Sequence, residues 1–295
     1  MKKLFISAAA VLAALSLNAQ VFTLGEIHKV DLNGGMVDKP VISADGSFVV
    51  AQGKGGLQKI DLANGAMEQI ATGADLYHAS ISPDGKTVVY TRPSYDKNHL
   101  RYTAMEAVNL DTKKVETVVK ASRNMAAGAA VTNQGVTAIN NGKVAKKTVN
   151  KAAQASTERP VVAINRGHLM LNGNVLDPQG KGSYLWPALS PDGTKIVYRL
   201  VNRGTFVCNL DGSNIQPVGN ISAAVWAGND ALVGMVTEDN GEYVTAGRLV
   251  AHDLKSGEKQ VLTGDDMIAL YPSATANRIS FVDAEGNLYV MDINK

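Results

Sequence analysis

The chain has 295 residues, 29 of them basic and 27 acidic, with 45% hydrophobic residues and one cysteine. Such a near-neutral balance excludes general electrostatic attraction to nucleic acid, which needs a basic face. A lone cysteine excludes an internal disulfide framework, and the length is ample for a core that needs none.

The first segment, MKKLFISAAAVLAALSLNAQ, opens on Lys2 and Lys3, runs apolar from Leu4 to Leu17 and carries the small Ala19 near its end. This is the pattern of a secretory signal peptide over residues 1–20, too short in its apolar part for a good spanning helix. No cysteine lies near the expected cleavage edge, so no lipid attachment is expected there. Its removal takes away two basic residues and leaves 27 against 27. Residues 21–295 are then expected to form one exported, monomeric domain without membrane insertion. The expected compartment is the periplasm of a Gram-negative cell, with the extracellular space as the alternative.

After a strand candidate, VFTLGEIHKVD (21–31), one phrase returns along the chain. Its copies are ISADGSFVVA (42–51), ISPDGKTVVY (81–90), VTNQGVTAI (131–139), LSPDGTKIVY (189–198), VWAGNDALVG (225–234) and SATANRISFV (273–282). Proline presets the turn, aspartate bonds the local backbone and glycine accepts a left-handed conformation. The β-branched and aromatic run that follows suits a buried strand. Each copy therefore reads as strand, tight turn, strand. Second-strand centres at Val49, Val88, Thr137, Ile196, Leu232 and Ile279 recur on average about every 46 residues, close to the roughly 40–45 residues of a four-stranded propeller blade.

A second periodic signal follows the first: KIDLANG (59–65), AVNLDTKK (107–114), VCNLDGSN (207–214), VAHDLKSGE (250–258) and VMDINK (290–295) each read as a third strand running into a turn. Fourth strands follow all but the last. The missing strand is expected from residues 21–31, which would close the ring and leave no open edge between its ends. The fold class is thus all-β: a closed propeller of six four-stranded blades, the last completed by the N-terminal strand. The stretch 125–182 is long for one blade and keeps a seven-bladed count open.

Ser-Pro-Asp-Gly before a β-run, with an Asp-rich turn further on, resembles the WD40-like repeat called PD40, found in TolB-like propellers. The resemblance is plain in the first, second and fourth copies and faint in the others. It spans nearly all of 21–295; no α/β domain of the kind that precedes the propeller in TolB is read here. It implies a six-bladed platform for binding and no set of catalytic residues.

Motifs for catalysis are missing from the sequence: no Gly-x-Ser-x-Gly elbow, no phosphate-binding loop, no His-Glu-x-x-His. GKGGL (53–57) reads as a hairpin turn. The five histidines, His28, His78, His99, His168 and His252, do not pair at metal-ligand spacing. His168 and His252 fall inside strand-like runs and read as structural, Cys208 as a small core residue. The repeated aspartates are explained by turns. Neither a metal nor a cofactor is expected, and the chain is read as no enzyme.

Binding residues are sought instead where the innermost strands begin, at one mouth of the central channel. Aligning the copies puts Lys39, His78, Gly128, Trp186, Ser222 and Tyr271 there. Tyrosine and tryptophan, apolar with a polar handle, suit such a mouth. The long loop RPSYDKNHLRY should open on the same face with Arg92, Tyr95, Lys97, His99, Arg101 and Tyr102, and TEDNGEY should add Glu238, Asp239 and Glu242. Long loops bearing arginine and aromatics concentrate binding residues. The functional expectation is a non-catalytic module that binds another envelope or periplasmic protein. The alternatives are a small ligand, glycan or peptide in the mouth, or a propeller lyase or hydrolase using His78.

Overall fold

The computed structural model describes residues 20–154 and 158–295, so the signal-peptide segment lies outside the described residues save for Gln20. The described chain is all β. In chain order, β1 (Thr23–Lys29) is followed by a first sheet of β2 (Val37–Ile42), β3 (Phe48–Gly53), β4 (Gly56–Asp61) and β5 (Met67–Thr72). The second sheet holds β6 (Tyr77–Ile81), β7 (Thr87–Tyr95), β8 (Arg101–Asn109) and β9 (Val115–Ser122). The third holds β10 (Met125–Val131), β11 (Gly135–Asn140), β12 (Lys143–Thr148), β13 (Val162–Asn165), β14 (His168–Leu171) and β15 (Asn174–Val175). The fourth holds β16 (Tyr184–Leu189), β17 (Lys195–Leu200), β18 (Gly204–Asn209) and β19 (Gln216–Gly219). The fifth holds β20 (Ser222–Trp226), β21 (Ala231–Asp239), β22 (Val244–Asp253) and β23 (Lys259–Val261). The sixth is β24 (Leu270–Ala274), β25 (Arg278–Val282) and β26 (Leu288–Asn294), with β1 as its outer strand.

Six antiparallel sheets in a ring make a six-bladed propeller, closed by the N-terminal strand as the repeat pattern predicts. Thr23 pairs with Asn294 and Lys29 with Tyr289. Gln260 fastens the incoming chain as well: its side chain accepts from the Phe22 N–H at 2.7 Å and donates to the Phe22 carbonyl at 3.0 Å.

The third sheet departs from the expected four strands. It is two three-stranded fans, β10–β12 and β13–β15, joined through their inner strands at one pair, Ala127 opposite Ile164. Packing divides what hydrogen bonding joins. Ala126, Ile139, Val161, Ala163 and Met170 form a small core between the fans, just as other apolar clusters lie between neighbouring sheets. The doubled sheet therefore sends two strands to the channel where every other sheet sends one, which is how 125–182 accommodates its length.

The repeated phrase has one physical job. Ser82 Oγ donates to Asp84 at 2.6 Å and accepts from the Thr87 N–H at 2.9 Å. Ser43 does the same with Asp45 and Phe48, and Ser190 with Asp192 and Lys195. All three serines are buried. The turns also clasp their neighbours: Asn133 accepts from the Asp84 N–H and Asn229 from the Asp192 N–H, each at 3.0 Å. Cys208 is buried in the core, where desolvation pushes its thiol up to about 12 and leaves it inert.

Candidate functional site at the channel mouth

Each innermost strand except β13 is interrupted by a bulge where it enters the channel. The register breaks between Asp38 and Val41, Tyr77 and Ser80, Met125 and Ala129, Leu185 and Ala188, Ser222 and Val225, and Leu270 and Ser273. Inside each break one residue takes positive φ: Lys39 51°, His78 52°, Gly128 131°, Trp186 46°, Ala223 47° and Tyr271 50°. Five of the six sequence-aligned positions are these residues. The exception is Ser222, one residue short of Ala223, in the copy where WAGND stands in place of the turn. A bulge turns a side chain out of the sheet plane, and a bulky residue at positive φ is strained unless its surroundings enforce it.

Three neighbouring sheets converge there. The Lys39 ammonium lies 5.6 Å from the Tyr77 ring centroid and 5.5 Å from that of Tyr271. The Arg101 guanidinium lies 5.8 Å from the Tyr77 centroid, and Tyr77 and His78 are centred 6.3 Å apart. Cation–aromatic attraction holds both cations over the rings. Lys39 also meets Asp38 at 3.1 Å. Burial opposes its charge, but Asp38 outweighs burial and raises its pKa. Among the described residues Arg101 has no ion-pair partner.

His78 is exposed to solvent, with the Tyr77 ring beside it. Loss of surrounding water, then the charges of Arg101 and Lys39, hold its imidazole below the usual value. Its Nδ1 lies 3.2 Å from Thr91 Oγ1, which donates its own proton to the Tyr77 carbonyl at 3.0 Å. The hydroxyl must then accept from Nδ1–H, which leaves Nε2 as the bare acceptor. For Tyr77, Asp75 beside it, followed by burial, raises the phenol.

Two hairpins rise beyond the other strands on this face, three sheets apart in the ring: β7–β8, paired out to Tyr95 and Arg101, and β21–β22, paired out to Asp239 and Val244. The first carries Lys97, His99 and Arg101, the second Glu238, Asp239 and Glu242. Each presents one highly exposed tyrosine, Tyr95 at 63% and Tyr243 at 62%.

The structure thus gathers Lys39, His78, Arg101 and Tyr271 into one cluster, with Tyr77 as the member that sequence alignment missed. Trp186, 44% exposed, stands at the equivalent bulge of the fourth sheet, away from that cluster. Tyr95 and His99 sit at the tip of the basic hairpin, His99 in its turn at φ 58°, and Tyr102 is half-buried beside Arg101. Arg92 belongs to the framework instead. Its Nε meets Glu106 at 2.9 Å and its Nη1 donates to the Thr72 carbonyl at 2.8 Å, tying the second sheet to the first. His168 pairs with Asp177 at 2.6 Å, and His252 is buried. Among the described residues no group of three or more His, Cys, Asp or Glu side chains could hold a metal.

No protein-family model matches the sequence, and no curated protein does. Among solved structures the chain is similar to a putative TolB from Agrobacterium tumefaciens, at 14% identity and a TM-score of 0.54, covering 92% of this chain and 99% of that one. An oligogalacturonate lyase from Vibrio parahaemolyticus matches at 15% identity and a TM-score of 0.49, covering 88% of this chain and 78% of that one. The shared property is the fold, a TolB-like propeller.

Proposed function

Starting from a TolB-like propeller fold, we propose that this protein is a non-catalytic binding platform, exported to the periplasm, that holds another envelope protein at its channel mouth. The observation that carries this reading is the ring of bulged positions. The same strained geometry recurs at Lys39, His78, Trp186 and Tyr271 while the side chain changes each time. A framework position would repeat its bonding group, as Ser43, Ser82 and Ser190 do with Thr132 and Thr275. Strain maintained under varied, accessible side chains supports selection for contact with something outside the chain. The oppositely charged hairpins would orient that partner across the mouth, and Trp186, Tyr271, Tyr95 and Arg101 are its anchors.

The test places a photo-crosslinking residue at Trp186 or Tyr95 on the mouth face, or at Thr194 on the opposite turn face. Illumination of intact cells should give a discrete protein adduct from the mouth positions and none from Thr194. Adducts from Thr194 alone would move the platform to the other face. Tight binding of a small molecule by the purified protein, with no protein adduct, would overturn the reading in favour of a ligand receptor.

A further inference from the structure

Five sheets have a fourth, outermost strand: β5, β9, β19, β23 and β1. The first fan of the third sheet stops at its third strand, β12, which among the described residues pairs with β11 alone. The direction of the unused backbone groups follows from the β11–β12 turn. Asn141 and Gly142, both at positive φ, form a two-residue loop between the paired Asn140 and Lys143. In such a hairpin the pair flanking the loop is hydrogen-bonded, and bonded pairs alternate from there. Lys143, Ala145 and Lys147 therefore bond inward to β11. Val144, Lys146 and Thr148 turn their N–H and C=O groups outward, and these have no hydrogen-bond partner among the described residues. All three are exposed.

The molecule already performs the operation that this edge invites. In the sixth sheet the third strand, β26, receives its outer strand from the far end of the chain. The fold tolerates a fourth strand that is not contiguous with its blade. At β12 the edge is basic: Lys143, Lys146, Lys147 and the nearby Lys151, with Lys146 reaching Glu158 at 2.7 Å and Lys147 reaching Glu116 at 3.5 Å. Two of these lysines thus take carboxylates within the chain itself, Lys147 alongside the Thr117 carbonyl. Like charges would oppose the pairing of two copies of this edge.

We propose that β12 is a docking edge at which an extended, acidic segment of a partner protein adds as the fourth strand. Main-chain bonds to Val144, Lys146 and Thr148 supply the binding, and the lysines select the charge. This site lies on the outer rim and is independent of the channel mouth.

The probe is a capped peptide of alternating valine and glutamate, titrated into the folded protein while amide hydrogen exchange is followed residue by residue. Exchange at Val144, Lys146 and Thr148 should slow by about tenfold or more, with Ala145 and Lys147, already bonded, unchanged. Lys146→Pro removes one outward donor at an edge where proline is tolerated and should weaken the peptide by about tenfold. Lys146→Glu should do so without touching the backbone, and Lys39→Ala/Arg101→Ala at the mouth should bind the peptide as wild type does. Uniform or absent protection overturns the proposal. So does equal binding of a valine–lysine peptide, or protection of the same amides in a dimer formed without peptide.

Discussion

The two faces of the ring are built to opposite rules. On the turn face, Ser43, Ser82 and Ser190 repeat one residue, one set of bonds and one burial state. On the mouth face, the bulges repeat one backbone conformation and change the residue: lysine, histidine, tryptophan, tyrosine. Identity repeated with geometry marks framework. Geometry repeated without identity marks a place where the blades have been given different work. The largest test of that contrast acts on the framework. Each buried serine, once changed to alanine, strands a backbone N–H, while its aspartate keeps the other bonds of the turn. The Ser43→Ala/Ser82→Ala/Ser190→Ala triple variant should lose about 3–6 kcal/mol, since the sites are far apart and their costs add. That is a large part of a typical stability of about 5–15 kcal/mol, so chemical denaturation should show a sharply lower midpoint. A loss under about 1 kcal/mol would mean that the repeat is not the framework.

Two arginines on one hairpin sharpen the contrast on a smaller scale. Arg92 ties β7 to Glu106 and Thr72, while Arg101 lies over the Tyr77 ring and has no ion-pair partner among the described residues. Arg92→Ala should cost about 1–2 kcal/mol in denaturation with the mouth-face crosslink retained. Arg101→Ala should leave stability within about 0.5 kcal/mol and weaken the crosslink. The reverse pattern would exchange their roles.

What was readable in the sequence follows the same division. Lys39, His78, Trp186 and Tyr271 could be found because each lies a fixed number of residues before its copy of the turn. In the fifth copy WAGND replaces the turn signal, and the alignment slipped to Ser222. Arg92 looked like its neighbours because its partners, Glu106 and Thr72, lie 14 and 20 residues away; no local pattern reports a contact at that range. The doubled third sheet was hidden for another reason. VVAINRGHLML reads as one apolar run, yet Arg166 and Gly167, both at positive φ, fold it into the β13–β14 hairpin. Tyr77 precedes the aligned position, and only the fold brings it beneath Lys39 and Arg101.

Strain at the mouth gives a smaller prediction. Trp186 holds φ 46° while 44% exposed, so truncating it gives up buried area whatever its backbone costs. Glycine accepts that conformation freely and alanine does not. Trp186→Gly should therefore be more stable than Trp186→Ala by about 0.5–1 kcal/mol, visible as a higher melting temperature, while the crosslink from Tyr95 weakens in both. Equal melting temperatures would show that the backbone at this bulge is not strained.

The subtlest test is of proton linkage at His78. Its folded pKa lies below the ordinary 6.5 because loss of surrounding water and the charges of Arg101 and Lys39 disfavour the imidazolium. Above pH 6.5 both folded and unfolded chains hold it neutral, and it adds no pH dependence. As pH falls below 6.5 the unfolded chain takes up a proton that the folded chain resists, so stability declines until the folded pKa is passed. His252, also depressed by burial and then by Lys259, contributes in the same direction. His78→Asn keeps a residue type that tolerates positive φ and removes one titration. Melting temperatures measured from pH 7.5 down to pH 5 should fall less steeply in the variant than in the wild type, the remaining slope including that of His252. Identical slopes would mean that the imidazolium is accommodated at the mouth, as it would be if a carboxylate came close enough to balance Arg101 and Lys39. The charge assigned to the mouth would then have to be revised from cationic toward neutral.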